Sequence, residues 1–442
     1  MTETLRIPFE ANEPDRDLPM TWGQRAVLEG IRRFGEDGGY FNHELLCEVA
    51  PGGTLEDAAA AIGDVLGEFA VLRTRFSDDE RGPRQLVCGS GAMEFAVRRI
   101  GEDGTIPLEI GEAKGFSFAD GDWSARGVVV CAGESPVLVA LAVNHLALDC
   151  GSYDLVRDRL AARLKGDGEP AAILQTTDQA DYEATPQARR RSASAIAFWR
   201  RELLAMPDSM VEPVLPTEDP LPYKSARIRS AAMSVAASRA AERLGVSSAS
   251  VLLALNAVVL EALTGAASQS LQLIVGNRYT PRDRRVAAAL AQNGLFNLDL
   301  GELTFDELVR SCFRRSLATY KFGFYDPAEL EPVRSEVEAE RGAPLDLAAY
   351  FNDARAGGGW PERPDADPAD LLGETVVERD GEWPRHDAKL FTAIGRDRRS
   401  CEFSLLFDTR CVREPAVHAA LRAAEALLVA AAETDVPARL SV

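Results

Sequence analysis

Histidine is scarce in this chain: among 442 residues only His43, His145, His386 and His418 occur. None belongs to an HExxH metal helix, and each can be weighed singly. The seven cysteines (Cys47, Cys88, Cys131, Cys150, Cys312, Cys401, Cys411) are odd in number, scattered and never spaced C-x-x-C. That argues against a disulfide framework and a structural zinc site. The longest apolar runs, Val128–Cys131 and Val137–Val143, are far too short to span a bilayer. The opening MTETLRIPFEANEPDRD has acidic residues where a secretory signal needs basic ones followed by an apolar stretch. Positive charge is also short, with 49 Lys plus Arg against 69 Asp plus Glu and a formal charge of −20. Nucleic acid and anionic membrane both call for a basic footprint, so neither is expected as a partner. GxSxG, GxxxxGK[ST] and GxGxxG are all missing. The expectation is a cytoplasmic globular protein with no metal.

The chain is 46% hydrophobic and 27% charged, ordinary for a protein with a sizeable core. Thr21 can cap a helix over Trp22–Phe34, and Thr54, followed by Glu56 and Asp57, can cap another that continues through Ala58–Leu72. Strand patterns lie at Tyr40–Val49, Arg84–Cys88, Glu94–Ile100, Arg126–Cys131 and Val137–Asn144, the last two joined by a turn, and Ser152–Leu164 reads as a helix. The polar stretch Lys165–Arg191 reads as a connection. Helices are expected at Ser192–Ala205, Ala237–Leu244, Ser248–Leu263, Phe305–Tyr320, Ala328–Glu340 and Pro415–Glu433, with strands at Leu271–Val275 and Cys401–Asp408. The Pro/Gly/Asp-rich stretch Asp353–His386 reads as a long functional or flexible loop. These elements give two mixed α/β halves.

Of the four histidines only His145 has an acid four residues later, in Asn144–Ser152 (NHLALDCGS). An apolar strand ends directly before it, and a helix starts just after Asp149. An imidazole at a strand end can project into a cavity and, with a pKa near neutrality, accept or relay a proton. The plainer alternative is a capping or core histidine, with Asp149 serving the helix.

The surrounding motifs bear on that choice. Leu18–Gln24 (LPMTWGQ), Glu68–Phe76 (EFAVLRTRF), Gly115–Phe118 (GFSF), Asn144–Ser152, Phe198–Leu203 (FWRREL), Gly276–Arg282 (GNRYTPR) and Gln292–Phe296 (QNGLF) follow one another in the order and spacing of a known family. The sequence resembles the condensation domains of nonribosomal peptide synthetases over nearly its whole length, with Asn144–Ser152 lying over the family's HHxxxDGxS motif. It departs at two positions. Asn144 stands for the first histidine and can still donate and accept hydrogen bonds. Cys150 stands for glycine and adds a Cβ, a constraint that Gly151 can absorb.

The resemblance implies an α/β fold of the α+β type, a pseudo-dimer of two chloramphenicol-acetyltransferase-like lobes with a central tunnel. The lobes are expected at roughly Met1–Gln175 and Thr176–Val442, with Asp353–His386 crossing from the second to the first as a latch. It implies a free-standing, monomeric acyltransferase acting in trans, with no resident cofactor. Acyl and acceptor groups would arrive on the phosphopantetheine arms of carrier proteins, and an amine or hydroxyl would attack a thioester. His145 is the expected catalytic residue. Asp149 is expected to be structural, paired with Arg278 or, failing that, Arg73, with Asn144 supporting. Cys150, Gly151, Ser152 and Asn293 are substrate-contact candidates. For Cys150 a buried filler competes with a nucleophile, and for Ser152 the helix cap is preferred.

Arg32, Arg33, Arg189, Arg190 and Arg191 are the basic clusters of an acidic chain. They can dock an acidic carrier protein or form a solvated helix face. Two other functions remain open. One is a catalytically silent condensation-like module that recruits pathway proteins, which Asn144 and Cys150 keep in play. The other is a coenzyme A-dependent acyltransferase of the same fold, a group marked by a DFGWG segment not found here.

Overall fold

The computed structural model describes residues 3–34, 42–100, 121–167, 172–211, 216–355, 364–397 and 399–440. Gly115–Phe118 and residues 356–363 therefore lie outside the described residues. The chain divides into two compact units, Met1–Arg190 with Gly276–Gln292, and Arg191–Val275 with Asn293–Val442.

The first unit runs β1 (Glu3–Glu10), β2 (Arg16–Pro19), α1 (Trp22–Phe34), β3 (His43–Glu48), α2 (Leu55–Glu68), β4 (Thr74–Asp79), β5 (Gly82–Val87), β6 (Ser90–Arg99), β7 (Ala125–Ala132), β8 (Ser135–Val143), α3 (Cys150–Leu164) and α4 (Thr176–Glu183), and α5 (Pro186–Ala205) leads on from it. Its main sheet has the order β1-β6-β7-β8-β3, antiparallel except for β6 with β7, and β2-β5-β4 form a small second sheet. Ile62, Val65 and Leu66 of α2 and Val156 and Leu160 of α3 cluster with Ile7, Phe95, Val129 and Leu141 of the sheet, all buried. Thr54 caps α2 as expected, in a reciprocal box with Asp57. Gly133, at φ +63°, turns the chain between β7 and β8.

The second unit continues with β9 (Tyr223–Ser230), α6 (Ala231–Leu244), α7 (Ser248–Thr264), β10 (Ser268–Val275), β11 (Gln292–Asp299), α8 (Phe305–Lys321), α9 (Pro327–Arg341), β12 (Ala349–Asp353), β13 (Val376–Trp383), β14 (Leu390–Ile394), β15 (Cys401–Asp408) and α10 (Glu414–Ala431). Its sheet has the order β11-β10-β12-β14-β15-β9-β13. The core gathers Val251, Leu255 and Val258 of α7 and Leu421 and Leu428 of α10 with Leu273, Phe403 and Phe407 of the sheet. Among the described residues no single helix is long and apolar enough to cross a membrane; α6 and α7 pass that test only as a pair, bent by 111°.

Three expectations need correction. The boundary falls at 190/191, not after Gln175, and residues 276–292 belong with the first unit. Buried polar bonds account for this. The Thr176 hydroxyl is 2.7 Å from Gln85 Oε1 and 3.2 Å from Gln24 Nε2, the Trp22 amide donates to Glu183 (2.8 Å), and Leu174 exchanges backbone bonds with Arg285 and Ala287. Lys165–Arg191 is accordingly not a bare connection, since it holds α4 and the start of α5. Nor is Asp353–His386 a structureless loop. Pro368–Glu374 forms a 3-10 turn against α6, and β13 pairs antiparallel with β9, where Arg227 meets Glu378 (3.1 Å) and Asp380 (3.0 Å).

Candidate active site

The apolar strand β8 runs to Val143, and the chain then turns tightly. The Asn144 Oδ1 accepts the Leu146 amide at 2.9 Å and its carbonyl accepts the Ala147 amide at 2.9 Å. Asn144 is buried, and its side chain shapes the turn. His145 leaves that turn half-buried.

Asp149 caps α3. Its Oδ1 accepts from the Ser152 amide (2.9 Å), the Ser152 hydroxyl (2.9 Å) and an Arg278 Nη (2.7 Å), while Oδ2 accepts from the Leu290 (2.9 Å) and Ala291 (3.1 Å) amides. Burial alone would raise this carboxyl's pKa. The Arg278 charge and the bonds from Ser152 and Leu290 outweigh burial and hold the pKa below the usual carboxylate value. Arg278 also donates to the carbonyls of Asp283 (3.0 Å), Val286 (2.7 Å) and Ala288 (2.8 Å). Asn277, in the left-handed region at φ 54°, sends its amide to the Leu290 carbonyl (2.9 Å) and so ties the two ends of this loop.

The first choice of partner for Asp149 is thus the one observed. The reserve, Arg73, is buried elsewhere and donates to the Cys88 carbonyl at 2.5 Å. Two substrate-contact candidates have structural duties. Ser152 is fully buried in the cap, and a Cβ on Gly151 would lie 2.2 Å from Arg278 Nε, so the missing side chain admits the guanidinium. Cys150 is exposed at the first turn of α3, against the expectation of a buried filler. Asn293 belongs to the second unit, where it donates to Gln272 Oε1 (3.0 Å).

The geometry at His145 fixes its chemistry. Nδ1 lies 2.6 Å from the Leu148 carbonyl, which can only accept, so Nδ1 carries the hydrogen. The neutral ring then keeps its lone pair on Nε2, the form a proton acceptor needs. Burial pushes the His145 pKa below the ordinary histidine value, with the Leu148 carbonyl and the Asp149 charge opposing, so the ring is neutral at pH 7.

Sequence reasoning missed His43. In the β3–β8 ladder His43 stands opposite Val143, two residues before His145, and the rings meet edge to face with centroids 4.6 Å apart. Only that register brings them together, and no short motif carries it. Among the described residues no group of three or more His, Cys, Asp and Glu could hold a metal ion.

No family model matches the chain. CymA of Salinispora arenicola (strain CNS-205), a probable non-canonical nonribosomal peptide synthetase, is 28% identical over 222 residues, 46% of this chain but 3% of that protein. Among solved structures, the condensation domain of chain release from the enacyloxin polyketide synthase has a TM-score of 0.71 at 20% identity, covering 94% of this chain and 82% of that one. The X-domain solved in complex with OxyB from teicoplanin biosynthesis has a TM-score of 0.70 at 18% identity, covering 96% and 95%. The chain has the fold of the condensation domains.

Proposed function

We propose that the chain is a condensation-type acyltransferase. It takes an acyl or aminoacyl thioester from the phosphopantetheine arm of a carrier protein and joins it to an amine or hydroxyl acceptor in natural-product biosynthesis. The arm enters as substrate tether, and no resident cofactor takes part. The observation carrying this reading is the Nδ1–Leu148 bond, which leaves the lone pair of His145 on Nε2. The attacking nitrogen or oxygen gives its proton to Nε2 as it adds to the thioester carbonyl. Collapse of the tetrahedral intermediate expels the thiolate, which takes that proton back, leaving an amide or ester and a free thiol. Asp149 and Arg278 hold the turn and take no part in the proton transfer. The same reading places an acidic carrier surface at Arg32, Arg33, Arg189, Arg190 and Arg191, all exposed. Arg32 pairs with Asp78, and Arg191 lies over the Phe324 ring at 4.6 Å.

The test is incubation with loaded carrier proteins and mass spectrometry of the arms. Acyl mass should leave the donor arm and appear on the acceptor. Turnover of free coenzyme A thioesters without any carrier would point to the coenzyme A-dependent reading instead. A recruitment module is the second reading, favoured by Asn144 at the first histidine position and by the likeness to a domain solved in complex with another protein. Untouched thioesters together with stable binding of a pathway enzyme would establish it.

A further inference from the structure

We infer that His43 is the positioning residue of the candidate base. This rests on the acyltransferase reading of His145. His43 Nε2 lies 3.0 Å from His145 Nδ1 and 3.0 Å from the Leu148 carbonyl. Three polar atoms thus form a triangle whose shortest side, 2.6 Å, is His145 Nδ1 to Leu148 O. The hydrogen on that side belongs to Nδ1, since the carbonyl has none to give. An N–H on His43 Nε2 could reach the Leu148 carbonyl, but it would crowd the hydrogen of His145 Nδ1, which lies at the same 3.0 Å and is aimed at that same oxygen. A lone pair on His43 Nε2 lets the Nδ1–H bond become three-centred, shared between the carbonyl and His43. His43 in that form carries its own hydrogen on Nδ1.

The arrangement matters when Nε2 of His145 takes a proton. The ring becomes an imidazolium, its Nδ1–H becomes a stronger donor, and the His43 lone pair stabilises the charge at this half-buried pair. His43 touches no substrate in this scheme and acts through His145. Its placement is rigid, because the β3–β8 ladder fixes its backbone. Tyr153 of α3 packs against its ring at 5.7 Å, with the hydroxyl bonded to the Glu44 carbonyl (2.9 Å). Among the described residues, charged or titratable groups around the pair include Asp149, whose charge acts on His145; Arg278, which neutralises it; Arg157 over the Tyr153 ring; Glu44 next to His43; and Cys150 next to Asp149.

The experiment pairs His43→Phe, which keeps a ring without nitrogen, with His43→Gln, which returns a polar group near the Nε2 position. With carrier-bound substrates, His43→Phe should lower kcat about tenfold with little change in KM, the scale of one lost hydrogen bond to a charged group. His43→Gln should restore most of that loss. A 15N NMR titration of the His145 ring, which needs no substrate, should show its pKa falling by about one unit in His43→Phe, the equivalent of the tenfold rate loss. An unchanged or raised His145 pKa in His43→Phe, or a kcat equal to wild type, overturns the inference. Full turnover by His145→Ala would instead defeat the catalytic reading of His145, while the titration still reports on the pair.

Discussion

Asp149 is held from four directions, by Ser152, Arg278, Leu290 and Ala291, whereas His145, four residues earlier, is held through one edge of its ring. Asp149 is buried and His145 half-buried, and burial acts on them oppositely. The carboxylate stays charged because Arg278 and the amides over-determine it. The imidazole's pKa is lowered because desolvation outweighs the opposing Leu148 carbonyl and Asp149 charge. A buried charge so thoroughly partnered reads as architecture, and a neutral ring whose Nδ1 hydrogen is fixed by a carbonyl reads as a base.

The largest expected break in this contrast is Asp149→Ala. Removing one partner strands Arg278, at a cost of about 3–5 kcal/mol, a large share of a typical stability of about 5–15 kcal/mol. Thermal unfolding should show a sharply lowered Tm or insoluble protein. A variant that melts like wild type but is inactive would move Asp149 into the chemistry. His145→Ala should do the reverse, losing about 10²–10⁴-fold in rate while unfolding within about 1 kcal/mol of wild type. Near wild-type turnover would mean that positioning of two tethered substrates drives the step.

Gly151→Ala is milder. Its Cβ would push on Arg278 Nε and Cδ, at 2.2 and 2.4 Å, for an expected cost of about 1–3 kcal/mol in denaturant unfolding. Unchanged stability would show that the guanidinium has room to shift.

Acid should separate the two residues by window. The His145 pKa is lowered on folding, so the unfolded chain binds its proton first. The His145 share of stability is complete above the ordinary value of about 6.5 and erodes as pH falls below it. The Asp149 pKa is also lowered. Its share is complete above about 3.9 and is lost as pH falls through the folded-state value. His145→Ala should flatten the first slope and leave the second. The acid limb of the rate profile should likewise lie below about 6.5. The smallest effect is expected for the exposed Cys150: Cys150→Gly should stay within about 0.5 kcal/mol in unfolding and near wild type in rate. A large rate loss would draw the thiol into the reaction.

What was legible in the sequence depended on how local the cause is. The helix over Trp22–Phe34 and the strand Cys401–Asp408 follow from apolar spacing and appear within the expected bounds, and α2 follows from its Thr54 cap although it stops at Glu68. Strands β9 and β13 escaped because cross-strand ion pairs between Arg227 and Glu378 and Asp380 stabilise them where apolar alternation is weak. The β1 strand at Glu3–Glu10 went unread, though its buried Ile7 and Phe9 alternate with exposed Arg6, Pro8 and Glu10. At the site, His145 and Asp149 stood out from spacing, while Arg278 came only through the family resemblance, being 129 residues from its partner. His43 was visible as a rare residue, but its role depends on strand register, which spacing does not encode.

The return of residues 276–292 to the first unit also sets a timetable for the nascent chain. Asp149 leaves the ribosome long before Arg278, and at about 5–20 residues per second the wait is about 6 to 26 s. Through that interval the carboxylate, the loop carbonyls and the Leu290 amide that close the cap cannot all be present. The first unit can therefore set its strands early, but it locks the start of α3 only after part of the second has already been synthesised.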